Sequence, residues 1–168
     1  MAARSLFTFT PHNAETKTST FPSPGVSSDA SGARPYLAFD AAADEAVYFT
    51  FIAPQGITTP LAAIITFAMA SATTGNIIAD ATLEAITDGD STDTDAAESL
   101  DTANTSGATA VPATAGLIDQ LSITLTNNDT ITAGDYCRLR IRRVGSNGSD
   151  TATGDLLMFA VELRDDGA

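Results

Sequence analysis

Four arginines, Arg138, Arg140, Arg142 and Arg143, fall within six positions of the stretch DYCRLRIRRVGSNGSD, in a chain with only eight Lys and Arg against 21 Asp and Glu. A guanidinium is a planar fork of five donors that suits carboxylates and phosphates alike. In YCRLRIR, Tyr136, Arg138, Arg140 and Arg142 alternate with Cys137, Leu139 and Ile141, the pattern of a strand whose apolar side faces a core. Three like charges along one face repel unless acids lie close by. Phosphate is the poorest answer, because the formal net charge is −13 and the arginines lack interleaved aromatics. Cross-strand acids such as Glu162 are one source of counter-charge. A neighbouring copy or partner protein is the favoured one, since arginine is enriched at protein contacts. From Pro35 to Cys137 the chain holds fourteen acids and no Lys or Arg, so carboxylates are at hand within a subunit or across subunits. Arg140, central in the row, is expected to meet carboxylates supplied by a partner.

Other reactive chemistry is thin. His12 is the only histidine and lies outside the apparent core, so a Ser-His-Asp triad is not expected. Cys137 shares its side of the strand with Leu139 and Ile141 and reads as a packed small hydrophobe, not a nucleophile. There are too few Cys and His for a zinc site. DGDSTDTD offers Asp88, Asp90, Asp93 and Asp95 as oxygen ligands, but the spacing is not that of an EF-hand loop. The 88–101 segment therefore reads as a solvated acidic loop, with calcium binding left open. A chain with no Trp and three Tyr has few platforms for stacking sugars. The expectation is a protein that is not an enzyme and needs no cofactor.

The elements that must position the arginines are strands. EAVYFTFI (45–52) and QLSITLT (120–126) alternate with period two, and LAAIITFAMA (61–70) and IIADATLEAI (77–86) also read as strands, although the alanines of 61–70 pull toward helix. Strand DLLMFAVELR follows the arginine strand after a polar loop. If the two pair as a hairpin, Leu156, Met158 and Ala160 lie beside the arginines as an apolar patch. About eight strands separated by Gly, Pro, Asn and Asp clusters suit an antiparallel, jelly-roll-like β-sandwich over residues 36–168. Residues 1–35, rich in Pro, Ser and Thr, read as an extended N-terminal arm that orders on a partner through Phe7, Phe9 and Phe21, with a flexible tail as the competing reading.

Composition narrows the partners. The acidic balance argues against nucleic acid. The longest apolar run falls well short of the ~20 residues of a membrane-spanning helix, so no membrane anchor is expected.

Four stretches carry a family resemblance: FTFTPHNAE near the start, RPYLAFDAAADEAVYFTFIAP at 34–54, ATTGNIIADATLE at 72–84, and TAGDYCRLRIRRVGSNGSDTATGDLLMFAVELRD at 132–165. Together they resemble small β-sandwich structural proteins of tailed bacteriophages, including capsid decoration or cement proteins. The A-G-D-Y turn is also similar to trimeric jelly rolls of the tumour-necrosis-factor and complement-head type. The resemblance implies a homotrimer on the capsid surface of a virion, bound to the major capsid protein or another virion protein, with the arm, the arginines, Leu156 and Met158 as contact elements. Related sandwiches in tails and fibres imply the alternative, an adhesin that binds a host receptor or glycan. A carbohydrate-active enzyme is a third and weaker class.

Overall fold

Alternation decides most of this fold, because residues two apart share a face and one face of each strand is apolar. A computed structural model describes residues 3–27, 32–95 and 98–165, and among these the protein is all-β. The strands are β1 (Arg4–Phe9), β2 (Ser23–Ser27), β3 (Arg34–Phe39), β4 (Asp44–Ile52), β5 (Leu61–Met69), β6 (Asn76–Ile77), β7 (Ala79–Ile86), β8 (Asn104–Thr105), β9 (Thr109–Ala110), β10 (Asp119–Leu125), β11 (Tyr136–Val144) and β12 (Leu156–Asp165).

They form an antiparallel β-sandwich. The larger sheet has the order β10-β5-β12-β3-β2, with β1 also paired to β12. The smaller has the order β4-β11-β7-β8, and β6 and β9 make a separate short ribbon. Between the two sheets lies one core, into which β5 and β10 send Leu61, Ile65, Phe67, Leu121 and Ile123, while β4 and β11 send Val47, Phe49, Leu139 and Ile141. Each such side chain contributes about 1.5–3 kcal/mol of burial. The Ala-rich 61–70 segment is a strand, β5, ladder-bonded on both sides by β10 and β12. Its alanines suit a central position where both faces are covered, and that context overrides their helix preference.

Two expectations need correction. The described part of the 1–35 segment is not a separate arm: β1 runs along β12 from Arg4 opposite Asp165 to Phe9 opposite Val161, and β2 completes the sheet edge beside β3. Phe9 is only 6% exposed, its ring stacks on Phe49 with centroids 4.9 Å apart, and Phe7 packs against Phe51. Between the two strands the segment follows the free edge of β4, where Glu15 and Tyr48 exchange backbone hydrogen bonds of 2.9 Å and Thr20 accepts from the Ala46 N–H. This covers an edge that would otherwise invite pairing with another chain.

The second correction concerns β12, which does not form a hairpin with β11. The two strands lie in different sheets, and a β-bulge between Met158 and Ala160 shifts the register of β12. One inserted residue reverses the parity beyond it. Leu156 and Met158 therefore share the core side with Val161 and Leu163, and cannot form a surface patch beside the arginines.

Candidate functional site

Strand β11 lies between β4 and β7, so the register fixes what each arginine meets. Arg138 stands opposite Glu84 and Thr50, Arg140 opposite Thr82 and Tyr48, and Arg142 opposite Asp80 and Ala46. The outward side of β7 is thus Asp80, Thr82 and Glu84, a polar row that matches the arginine row position by position. Arg138 pairs with Glu84 at 3.3 Å and approaches Glu98 at 4.0 Å. Arg142 is held by Asp80, with its Nε donating at 2.9 Å, and lies 3.8 Å from Asp44. The hydrogen bond it donates to Asp80 raises the pKa of the Arg142 guanidinium above its ordinary value. For these two arginines the counter-charges come from the same chain.

Arg140 differs. Its guanidinium donates to the Thr82 hydroxyl at 2.8 Å, its Nε has no acceptor, and it makes no ion pair among the described residues. Thr50 Oγ1 and Asp80 Oδ1, on the same face, are also buried without partners.

Arg143 continues the alternation one position further, onto the core side. It is 1% exposed and uses all five donors: two on the Asp150 carboxylate, at 2.8 and 3.1 Å, and three on the carbonyls of Phe39, Ala152 and Gly154. It is an internal clasp and, contrary to expectation, not one of the partner-facing arginines. Asp150 also accepts from the Ile78 N–H, so the clasp ties β11, the 145–155 loop and the start of β7 together. That loop sits against Gly75, whose φ is +94° and where an added Cβ would stand 2.9 Å from the Thr151 carbonyl, so no larger residue fits.

The outward face is not bare. Tyr48 points away from the core yet is 1% exposed, with the Arg138 guanidinium 4.5 Å from its ring centroid and Lys17 Nζ at 5.5 Å. Lys17 pairs with Glu98 at 2.9 Å, so the segment after β1 and the acidic loop meet across this face. Burial acts to raise the Glu98 pKa, but hydrogen bonds from Lys17 and Tyr48 hold it below the usual carboxylate range.

Beside this cluster opens a cavity of about 480 Å³, floored by Glu84, Ile86, Tyr136 and Arg138. Glu15 lines it from the segment after β1, and Thr94, Asp95 and Glu98 line it from the acidic loop. In the same loop two of the calcium candidates serve local turns: Asp90 accepts from the Thr87 N–H and Asp93 from the Asp95 N–H. No group of three or more His, Cys, Asp or Glu with metal-holding geometry occurs among the described residues.

Of the remaining sequence candidates, Phe21 is partly exposed, Phe7 is half-buried against the core, and Cys137 is buried. Burial, reinforced by Asp135, pushes the Cys137 thiol up to about 12, which keeps it an unreactive thiol at neutral pH. Tyr48, Asp80 and Glu84 were missed by sequence reasoning. The alternation of Asp80, Thr82 and Glu84 with Ala79, Ala81 and Leu83 is the signal that could have found two of them. No protein-family model and no curated protein matches this chain.

Proposed function

We propose that the chain is a non-enzymatic virion structural protein, a jelly-roll-like capsid decoration protein that binds the phage shell as a homotrimer. The observation that carries the reading is the character of the two outer faces. The outside of the larger sheet presents Tyr36, Ala38, Leu157, Phe159 and Ala160 half-buried, with Phe159 edge-on to Tyr36 at 6.2 Å. Such a patch suits packing against further copies. The outside of the smaller sheet is polar and shaped by charge, as suits a contact with a different protein. Arg140 carries no ion pair there and is the position for a shell carboxylate. The family resemblance supports the same reading, a trimeric decoration protein.

The test combines oligomeric state with shell binding. Sedimentation of the purified protein is expected to give a trimer, and mixing with undecorated shells a saturating copy number set by lattice symmetry. Arg140→Glu is expected to leave the trimer intact and weaken shell binding by about 2–5 kcal/mol. A monomer at every concentration, or binding to host glycans with no affinity for shells, overturns the reading.

A further inference from the structure

We infer that the cavity on the smaller sheet is a receptor for a single basic side chain, Arg or Lys, carried on an apolar segment of a partner protein. The inference stands apart from the virion reading, since it names the chemistry of the contact and not the assembly.

Charge is the first argument. The cavity lining holds Glu15, Glu84, Asp95 and Glu98 against one cation, Arg138. Glu84 is spent on Arg138 and on the backbone and hydroxyl of Ser99, and Glu98 on Lys17 and Arg138. The carboxylates of Glu15 and Asp95 have no hydrogen bond or ion pair among the described residues, so the lining is negative even after its internal pairs are formed. Because these carboxylates do not converge to a metal-holding group, a compact dication is a poor fit. A guanidinium or ammonium, which carries several donors in different directions, satisfies carboxylates that stand apart.

Shape and polarity are the second argument, independent of the first. The volume of about 480 Å³ lies within the range of ligand-holding pockets. Tyr136 and Ile86 are opposite each other in register and give the cavity an apolar side, against which the aliphatic stem of Arg or Lys can lie with its cationic head toward the acids. The row continues outside the cavity: Ile52 is opposite Tyr136 on β4, and the two are 56% and 41% exposed. A free polyamine has no use for that apolar shelf. A peptide segment does, because residues flanking its basic side chain cover Ile52 and Tyr136 while the cation enters.

The experiment titrates the full-length protein with acetylated, amidated Leu-Arg-Leu, with Leu-Gln-Leu and with spermidine, following backbone amide shifts. The Arg peptide is expected to saturate shifts at Ile52, Ile86 and Tyr136 and to bind at least about tenfold more tightly than either other probe, a difference of about 1.4 kcal/mol. Glu15→Gln with Asp95→Asn is expected to lose at least the same factor at unchanged melting temperature. If that double variant melts lower, Tyr136→Ser replaces it, and is expected to weaken the Arg peptide while sparing spermidine. Equal affinity for the Arg and Gln peptides, tighter binding of spermidine, shifts confined to another face, or no shifts at all overturns the inference.

Discussion

Arg143 and its neighbours show how one position along a strand changes what a charge does. Arg142 faces solvent and shares its charge with Asp80 and Asp44, whereas Arg143 is enclosed with Asp150 and three carbonyls. A buried ion pair is not itself strong evidence of stabilisation, but removing one partner strands the other charge in a dry place. Arg143→Met is therefore expected to cost about 3–5 kcal/mol in denaturant unfolding, the cost of leaving Asp150 uncompensated. Arg138→Met is expected to cost less, because Arg138 is partly exposed and Glu84, although buried, keeps hydrogen bonds from the Ser99 N–H and hydroxyl. Equal costs would show that Asp150 is solvated once Arg143 is gone. The distinction was legible in the sequence: carrying the alternation of Cys137, Leu139 and Ile141 one step further puts Arg143 inside. The identity of its acceptors was not legible, since Asp150 and the carbonyls reach it through a loop whose path no periodicity encodes.

At the scale of elements, period-two patterning named the long strands correctly and misassigned one face. The register of β12 is the instructive failure, because residues 156–161, LLMFAV, are continuously apolar and carry no sign of the bulge the chain inserts after Met158. Side-chain pattern alone does not reveal a backbone irregularity that both sheet neighbours must accommodate. The N-terminal strand was misjudged for a different reason. SLFTFT is short and followed by a polar tract, so local composition suggested an arm, but its two phenylalanines find partners in β4 that are distant in sequence. Phe9→Ala is expected to destabilise the isolated protein by about 3–5 kcal/mol, as for a core aromatic. A change below about 0.5 kcal/mol in denaturant unfolding would mean that β1 contributes nothing to the fold until a partner is bound.

For the whole molecule, acidity is the governing property, and its consequence for stability depends on which carboxylates the fold has tuned. Glu98 and Asp135 are both held below their ordinary values, in each case against the effect of burial: Glu98 by Lys17 and Tyr48, Asp135 by the Thr132 N–H and the hydroxyls of Thr87 and Thr132. A carboxylate with a lowered folded pKa contributes stability that is present above its unfolded value and lost as the pH falls through the folded one. Glu45 is shifted the other way, mainly by burial, and opposes folding when ionised. Stability is thus expected to hold from neutrality to about pH 5 and to fall below about pH 4, with a shallower acid slope in Glu98→Gln. A pH-independent unfolding free energy down to pH 3 would contradict this. The pairing of β1 with β12 has a mechanical consequence. Because Arg4 lies opposite Asp165 and the strands are antiparallel, tension applied at these two residues peels the ladder open one rung at a time, starting from their end. The first event under load is expected to be release of β1 at low force, followed by a stiffer intermediate held by β5 and β12. Single-molecule pulling from these positions would record two steps, and Phe9→Ala, which removes the buried anchor of β1, is expected to lower the force of the first alone.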